Sequence, residues 1–249
     1  MTNFIDISHK NLVVKLAETR EEIEKARKLR FEELISKSNP DIPYADCFDD
    51  SDFVYDHLIV TDTDDGSVVG TYRLGRREQL NKIKNFYTNG KFNCDSLLAA
   101  EGELLELSRM AIKESYRDGS VIKLLWKGLF AYCARFDVKY LFGIISLPTT
   151  DPKDAINFLS YINNGLVTEE FDLFPREPVV EIELLPPDKT DVFKAKKEMH
   201  PILKAYLSMG CKFARGAHYD LGFFKSIDVM IVIDIKKVNP KYIELVTRM

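Results

Sequence analysis

Apolar and polar positions along the chain follow two periods, and the clearest succession of both lies between residues 103 and 147. The stretch 103–112 (ELLELSRMAI) is apolar enough for a buried strand. After a polar loop, apolar residues recur at helical spacing from Ser120 onward, which predicts a helix. A second apolar run, at 140–147, has the length of a strand. The region therefore predicts strand, loop, helix and strand in succession.

The N-terminal part of the chain predicts a strand, a helix and a long loop. Residues 11–17 (NLVVKLA) predict the strand. Thr19 and Glu22 have the spacing of a capping box, and the helix that they start is expected to run to about residue 36. The Pro- and Asp-rich stretch 37–52 is too long for a simple connection, so it is a candidate lid or binding loop.

The remaining pattern predicts a hairpin and a closing set of strands. Strands at 53–63 and 67–76 are expected to close around an Asp-Asp-Gly turn. Toward the C-terminus the pattern predicts helices at 154–162 and 201–209 and strands at 211–219 and 227–238. Repeats, low-complexity tracts and linkers are absent from the sequence. We therefore expect one domain over residues 1–249, with an inserted segment at about 153–200.

Composition narrows the possible functions. The net charge of −4 argues against nucleic acid as the main partner. The four cysteines are widely spaced, without a C-x-x-C or paired histidines, so the sequence predicts free thiols and no metal site. The N-terminus lacks a basic region followed by an apolar run, and no segment approaches the roughly 20 apolar residues of a membrane span. We expect a cytoplasmic protein that meets the inner membrane only peripherally.

Charged side chains interrupt several apolar elements. Glu106 and Arg109 lie in the strand 103–112, Arg73 lies in a hairpin strand, and Arg30 falls among apolar helix positions. A buried charge is costly unless it is paired, so each of these residues is expected to be paired or functional. A carboxylate can accept a proton from an amine, and a guanidinium can bind a carboxylate at two points. The alternative for each is a structural ion pair or, for Arg30, a head group that reaches solvent.

The loop before the central helix is a candidate anion site. The sequence Arg117-Asp118-Gly119-Ser120 immediately precedes the helix, where free amide groups point outward. On the helix itself, Lys123 and Lys127 lie one turn apart, away from the apolar face. A cationic strip of this kind could orient an acidic partner protein, or it could be only the solvated face of the helix.

The strand–loop–helix–strand arrangement resembles the acyl-CoA-binding core of the Gcn5-related N-acyltransferase superfamily. The resemblance implies an α/β (α+β) fold with a mixed sheet flanked by helices, a bulge near Arg109, and a loop that holds the donor phosphate. The family loop is Gln/Arg-x-x-Gly-x-Gly/Ala, and this chain has Arg117 but Ser120 and Ile122 in place of the two glycines. Phosphopantetheine on a carrier protein has a single phosphodiester and needs less of such a loop than coenzyme A. The departure therefore favours a carrier protein as the donor.

A set of short motifs in a fixed order is similar to the bacterial ornithine-acyl-carrier-protein N-acyltransferases of ornithine lipid synthesis. Those motifs are Ala26-x-x-Leu29-Arg30-Phe31, Tyr55-Asp56-His57-Leu58, Gly70-Thr71-Tyr72-Arg73-Leu74, Phe86-Tyr87-Thr88, Glu106-Leu107-Ser108-Arg109, Tyr116-Arg117-Asp118, Leu125-Trp126, Phe142-Gly143-x-x-Ser146, Asp151-Pro152, Leu203-Lys204-Ala205-Tyr206-Leu207 and Asp228-Val229. The resemblance implies transfer of a (3-hydroxy)fatty acyl group from acyl carrier protein to the α-amine of an amino acid, with ornithine as the first choice. The implied co-substrate is an acyl-phosphopantetheine, on carrier protein or coenzyme A, and no cofactor is implied to stay bound.

Together, the pattern and the resemblance assign roles to particular side chains. The expected roles are catalysis by Glu106 and Arg109; amino-acid binding by Arg30, Asp49 and Arg73; donor phosphate binding by Arg117, Gly119 and Ser120; and carrier-protein docking by Lys123 and Lys127. Apolar residues that could line an acyl tunnel, or simply pack the core, are Phe86, Tyr87, Phe92, Phe158, Tyr161, Ile162, Phe171, Leu173 and Phe174. A more distant likeness, to the acyl-homoserine lactone synthases, leaves that activity as an alternative. A non-catalytic acyl-thioester-binding protein is the other.

Overall fold

A computed structural model describes residues 4–48, 50–240 and 243–244. Its strands are β1 (Asp6–His9), β2 (Leu12–Leu16), β3 (Asp56–Asp62), β4 (Val68–Arg76), β5 (Phe92–Asn93), β6 (Glu103–Ile112), β7 (Val138–Leu147), β8 (Phe174–Pro175), β9 (Lys212–Phe213), β10 (His218–Asp220) and β11 (Ser226–Asp234). Its α-helices are α1 (Arg20–Arg30), α2 (Ser36–Ser38), α3 (Asp95–Leu98), α4 (Ser120–Arg135), α5 (Pro152–Asn163), α6 (Val192–Glu198) and α7 (Pro201–Ser208).

The chain divides into two compact units. The first contains residues 1–84, 105–139 and 240–249, and the second contains residues 85–104 and 140–239. The segment 153–200, expected as an insertion, falls entirely within the second unit. The expectation of a single domain stays a prediction.

The first unit is an antiparallel sheet with helices on both faces. Its strands lie in the order β1-β2-β3-β4-β6. The predicted hairpin is confirmed as β3 and β4, with Gly66 in the left-handed region at φ +70°. At Gly70 of β4 a side chain would meet Val121 of α4, with a Cβ only 2.4 Å from the valine methyl. On the other face, Ala26 and Leu29 of α1 join a buried apolar cluster of the sheet. Helices thus cover β4 from both sides.

Helix α1 begins as predicted and ends differently. Thr19 is the N-cap, and its hydroxyl and the Glu22 carboxylate form the reciprocal bonds of a capping box. The α-helix ends at Arg30 and continues as a π-helical turn, Phe31–Ile35. π-Helical turns are rare in proteins overall, but those that occur are often found at functional sites. This turn brings the Glu33 carboxylate to the loop before α4, where it accepts from the Arg117 guanidinium at 2.6 Å and from the Glu114 amide at 3.0 Å.

The second unit pairs β11 with strands on both of its sides. β7 and β11 are antiparallel, with Leu147 opposite Ile227, and β10 pairs with the start of β11. The prediction of one strand at 211–219 is wrong, because β9 and β10 pair separately with β11 on either side of a turn at Gly216. The predicted strand 227–238 ends at Asp234, where the Asp234 carboxylate caps a 3₁₀ turn.

A buried ion cluster fastens this unit internally. The Lys91 ammonium lies 2.6 Å from a carboxylate oxygen of Asp220 and 2.7 Å from one of Asp228. Burial opposes its charge, but Tyr87 and the two carboxylates outweigh burial and raise the pKa of Lys91.

Over the described ranges, no helix combines the length and the apolar character that a membrane crossing requires.

Candidate active site

The centre of the candidate site is the carboxylate of Asp52, at the end of the long loop. Arg30 donates to both of its oxygens, at 3.2 and 2.8 Å, and Arg73 donates to one of them at 3.0 Å. Arg27 approaches it at 3.4 Å and is itself paired with Glu24 at 2.6 Å. Arg30 and Asp52 are 1% and 2% exposed, so this ion pair lies inside the protein. A bidentate, buried guanidinium–carboxylate pair is strongly directional and holds both partners in place.

Arg73 is held on several sides. Its Nε donates to the Ser108 hydroxyl at 2.9 Å, and its guanidinium lies 4.6 Å from the centre of the Tyr55 ring. Ser108 stands directly opposite Arg73 in the pairing of β4 with β6. On the other side, His57 of β3 stands opposite Arg73, and its Nε2 lies 2.7 Å from the backbone carbonyl of Asp52. These contacts leave the Arg73 head group in a defined orientation.

The electrostatics of the cluster follow from burial and close charges. Burial disfavours ionisation of Asp52, but the charges of Arg30 and Arg73 outweigh it and lower the pKa of Asp52 to about 2. Burial, followed by the charge of Arg30, lowers the pKa of His57 to about 3, so His57 is neutral at physiological pH. Burial also lowers the pKa of Arg30 to about 10, and Arg30 stays charged.

Glu106 lies on the same face of the sheet as this cluster. It is 0% exposed and stands opposite Gly75 in the β4–β6 ladder. Residues two apart on a strand share a face, so Glu106 lies on the face of Ser108, which bonds Arg73. A Cβ at Gly75 would lie 2.3 Å from the Tyr55 ring, so only glycine lets Tyr55 lie flat over the strand there. Glu106 and Arg73 therefore flank the position of Tyr55.

Arg109 occupies the bulge that the superfamily resemblance implies. The register of β6 against β4 shifts between Ser108 and Ala111, so Arg109 and Met110 together face a single residue of β4. Arg109 has φ 58°, which is unusual for a residue other than glycine. Its charge acts on Arg30, after the larger effects of burial, Asp52 and Arg73, and contributes to the lowered pKa of that arginine. The bulge sets Arg109 and Met110 against one residue of β4, which strict alternation would not do, and Arg109 lies close enough to Arg30 for the two charges to interact.

The structure joins Arg30 and Arg73 through Asp52, places Glu106 on the same sheet face and sets Arg109 in the adjacent bulge. These are four of the five residues expected to bind or activate the amino acid. The fifth, Asp49, lies outside the described residues. The carboxylate that pairs with the arginines is Asp52, which the sequence analysis did not single out. Two buried arginines in apolar elements require an acidic partner, and the loop 37–52 contains several aspartates. The sequence does not show which aspartate of that loop turns inward.

The donor loop is already engaged in internal contacts. Arg117 donates to the backbone carbonyl of Ile112 at 3.1 Å and pairs with Glu33. Gly119 is the N-cap of α4 with φ +97°, a conformation that glycine adopts without strain. The Ser120 amide and hydroxyl both donate to the Asp118 carboxylate, at 2.9 and 2.6 Å. A phosphate at this loop therefore has to share these donors with Asp118, a competition that the sequence analysis did not foresee.

The two lysines of α4 are placed as the pattern predicts. Lys123 is exposed and Lys127 is half-buried, while Leu124, Leu125 and Gly128 on the opposite side are buried.

No group of three or more His, Cys, Asp or Glu side chains suited to a metal ion occurs in the part of the chain that the structure describes.

An apolar cavity lies within the second unit. Its volume is about 270 Å³, and it is lined by the end of β7, by helices α5 and α7, and by Ala195 of α6. Its apolar walls are Leu147, Ala155, Phe158, Ala195, Met199 and Leu203. Of the residues expected to line an acyl tunnel, Phe158 borders this cavity.

Comparisons with known sequences and solved structures agree on the kind of protein that this chain resembles. Residues 27–127 match the model of the acetyltransferase (GNAT) domain. An L-ornithine N(alpha)-acyltransferase of Brucella abortus is 32% identical over 94% of this chain and 88% of its own length, and one of Rhizobium meliloti is 29% identical over 94% and 83%. The solved structure of FeeM, an N-acyl amino acid synthase from uncultured soil microbes, superposes with a TM-score of 0.52 at 9% identity, covering 90% of this chain and 91% of that one. This last likeness concerns the fold alone.

The comparisons confirm the predicted fold class and the resemblance carried by the short motifs. They support the N-acyltransferase interpretation over the lactone synthase and the non-catalytic binding protein. The chain is an N-acyltransferase with the GNAT fold, and it belongs to the L-ornithine N(alpha)-acyltransferase family.

Proposed function

We propose that the protein transfers a (3-hydroxy)fatty acyl group from acyl carrier protein to the α-amine of L-ornithine, which yields a lyso-aminolipid. The observation that carries the proposal is the pairing of Arg30 and Arg73 with Asp52, on the sheet face that also carries Glu106, with Arg109 in the bulge of β6. Relatives of nearly full coverage are named for ornithine, and that name supports the choice of acceptor.

The charge of the cluster suits an amino acid. Arg27 is paired with Glu24, which leaves the guanidinium groups of Arg30 and Arg73 against the single carboxylate of Asp52, an excess of one positive charge, two against one. An α-carboxylate brings the missing negative charge, and guanidinium groups bind carboxylates with directional hydrogen bonds. In this proposal Asp52 orients Arg30 and Arg73, and the acidic loop that includes Asp46 and Asp49 receives the second ammonium group of ornithine.

The reaction then needs one proton transfer before attack. The α-ammonium loses a proton to Glu106, and the free amine attacks the thioester carbonyl carbon. A C–N bond forms, the C–S bond breaks, and the departing phosphopantetheine thiolate takes up the second proton, which the attacking nitrogen releases as it becomes the amide. Arg109, turned inward by the bulge, is the cation placed to stabilise the negative charge that develops on the carbonyl oxygen.

The donor is expected at α4. Arg117, Gly119 and Ser120 bind the single phosphodiester of phosphopantetheine, and Lys123 and Lys127 dock the acidic carrier protein.

The test is expression in a bacterium that makes no aminolipids, followed by mass spectrometry of its lipids. We expect a new acyl-amino acid whose mass gives the acyl chain and whose fragments give ornithine. Glu106→Gln, produced at the same level, serves as the control and should give little of it. A new acyl-amino acid with another acceptor contradicts the ornithine assignment, and the absence of any new lipid contradicts the proposed reaction.

A further inference from the structure

Helix α6 presents an aromatic side chain to solvent. Phe193 is 78% exposed, and Val192 beside it is also exposed. On the opposite side of the helix Ala195 is fully buried, and it borders the apolar cavity together with Met199, just beyond the helix end. The helix therefore packs through one side and carries a large apolar group on the other.

Three lysines occupy helix positions close to this aromatic side chain. Lys197 is four residues from Phe193 and so lies on the same side of the helix, and Lys194 and Lys196 flank that side. All three lysines are exposed. The stretch 184–204 holds five lysines against three acidic residues, in a chain whose net charge is −4. Of those acids, Asp191 is used as the N-cap, where it accepts from the Lys194 amide at 2.8 Å.

The position of α6 is fixed by its neighbours. The Asn164 side-chain amide donates to the Leu185 carbonyl and to the Thr190 hydroxyl, both at 3.1 Å. The Ser160 hydroxyl accepts from the Leu185 amide at 2.9 Å, and the Asn157 side chain accepts from the Asp191 amide at 3.2 Å. Helix α5 thus holds the segment that leads into α6, which contains the 3₁₀ turn Pro187–Lys189, and Phe193 projects from a fixed base.

We infer that α6 is a peripheral membrane contact, in which Phe193 enters the interface of an anionic lipid surface and Lys194, Lys196 and Lys197 bind the phosphates around it. An exposed aromatic group with lysines at neighbouring helix positions matches the boundary between head groups and acyl chains, because lysine stems can lie along apolar surface while the ammonium groups reach phosphate. Positive charge on an otherwise acidic protein gives this face its preference for anionic lipid. An acidic protein would engage the lysines but has no equal use for the projecting ring.

Membrane binding and amide formation can be tested separately. Flotation with vesicles of equal parts phosphatidylglycerol and phosphatidylcholine measures binding, and turnover with a carrier-bound acyl group in vesicle-free buffer measures the reaction. We expect binding to the anionic vesicles that weakens with salt and is largely lost on pure phosphatidylcholine. Phe193→Ala should lower the vesicle partition coefficient by about tenfold, the magnitude of burying one large apolar side chain.

Matched variants and a reporter complete the experiment. Replacing Lys194, Lys196 and Lys197 with Gln should lower the vesicle partition coefficient on the order of 100-fold at low salt. The control replaces Lys82, Lys84 and Lys212 with Gln, because these three lysines are exposed and lie outside α6. Leu221→Ala removes an exposed apolar side chain outside α6 and serves as the control for Phe193→Ala. In Phe193→Trp, brominated lipid should quench the new tryptophan, whereas the native one, Trp126, is buried and should be unaffected.

Three results would overturn the inference. The first is wild-type protein that does not float with either vesicle. The second is equal partition of Phe193→Ala, the Lys194, Lys196 and Lys197 variant, and their controls. The third is a loss of affinity for acyl carrier protein, with unchanged vesicle binding, in those same variants. In the last case α6 is a docking site for the carrier protein.

Discussion

Arg30 and Asp52 form a two-point ion pair, at 3.2 and 2.8 Å, between a helix and a loop that are 22 residues apart in sequence. Neither side chain reaches solvent appreciably. Arg73 binds the same carboxylate from β4, so one aspartate fixes the loop, the helix and the sheet together. The loop over the candidate acceptor site is thereby part of the folded core.

Asp52→Asn should therefore destabilise the protein strongly. The change leaves Arg30 and Arg73 buried without their anion, and loss of one partner of a buried pair costs about 3–5 kcal/mol. Urea unfolding at neutral pH measures the change in the free energy of unfolding. Asp46→Asn, an exposed residue of the same loop, is the matched control and should change that free energy by less than about 0.5 kcal/mol. Equal stability of the two variants would contradict the structural role of Asp52.

Acid should destabilise the protein through His57. The folded-state pKa of His57 is lowered from 6.5 to about 3, so below pH 6.5 the unfolded chain binds a proton that the folded protein does not. The free energy of unfolding should then fall by about 1.4 kcal/mol per pH unit between pH 6 and pH 4 from this group alone. Asp52 adds a similar loss only below its ordinary pKa of 3.8, down to about 2.

His57→Gln isolates this effect. Glutamine keeps a donor for the Asp52 carbonyl but has no proton to take up in the unfolded state. The free energy of unfolding of both proteins is measured from pH 7 to pH 4. Its slope against pH should differ between them by the amount that corresponds to uptake of about one proton on unfolding. Identical slopes would show that the folded protein binds a proton at His57 in this range.

Glu106→Gln should retain the fold and lose turnover. The substitution keeps the size of a fully buried side chain and removes the group proposed to accept the amine proton. We expect a fall in kcat of about 10²–10⁴ at neutral pH, with a smaller gap at higher pH, where more of the amino acid carries a free amine. Rates against pH, with Glu101→Gln as an exposed control, measure both effects. A variant that matches wild type at every pH would make Glu106 structural and assign the proton to solvent.

The donor should be a carrier protein more readily than free coenzyme A. Reversing the charges of α4 with Lys123→Glu and Lys127→Glu should raise KM for acyl carrier protein and leave the rate with acyl-CoA nearly unchanged. Increasing salt should weaken turnover with the carrier in the wild type, because the attraction of exposed charges is screened. Lys82→Glu with Lys84→Glu, two exposed lysines outside α4, is the control. Equal turnover with acyl carrier protein and acyl-CoA, unchanged by the Lys123→Glu and Lys127→Glu substitutions, would refute carrier docking at α4.

Local sequence patterns carried much of the fold and part of the site. The capping box at Thr19, the hairpin turn at Gly66 and the apolar face of α4 depend on neighbours within a few residues, and these predictions are confirmed. Arg30 and Arg73 stood out because a charge in an apolar pattern requires a partner.

Contacts between distant residues explain what the sequence did not reveal. Asp52 resembles the other aspartates of its loop, and only the two arginines that it meets in the fold distinguish it. The π-helical turn continues a pattern that still fits an α-helix, and β9 and β10 are separated by their shared pairing with β11. Likewise, the composition of the loop before α4 does not show that the Ser120 hydroxyl donates to the Asp118 carboxylate.

The most direct test is an acceptor panel with purified protein, acyl carrier protein charged with a 3-hydroxyacyl group, and ornithine, lysine, glycine, glutamine and homoserine lactone precursors supplied separately. Tandem mass spectrometry gives both the amino acid acylated and the nitrogen that carries the acyl group. The account predicts one dominant product, ornithine acylated on its α-nitrogen, with product strongly reduced in Glu106→Gln. Acylation of the δ-nitrogen, a different preferred acceptor, or equal product from Glu106→Gln would contradict it.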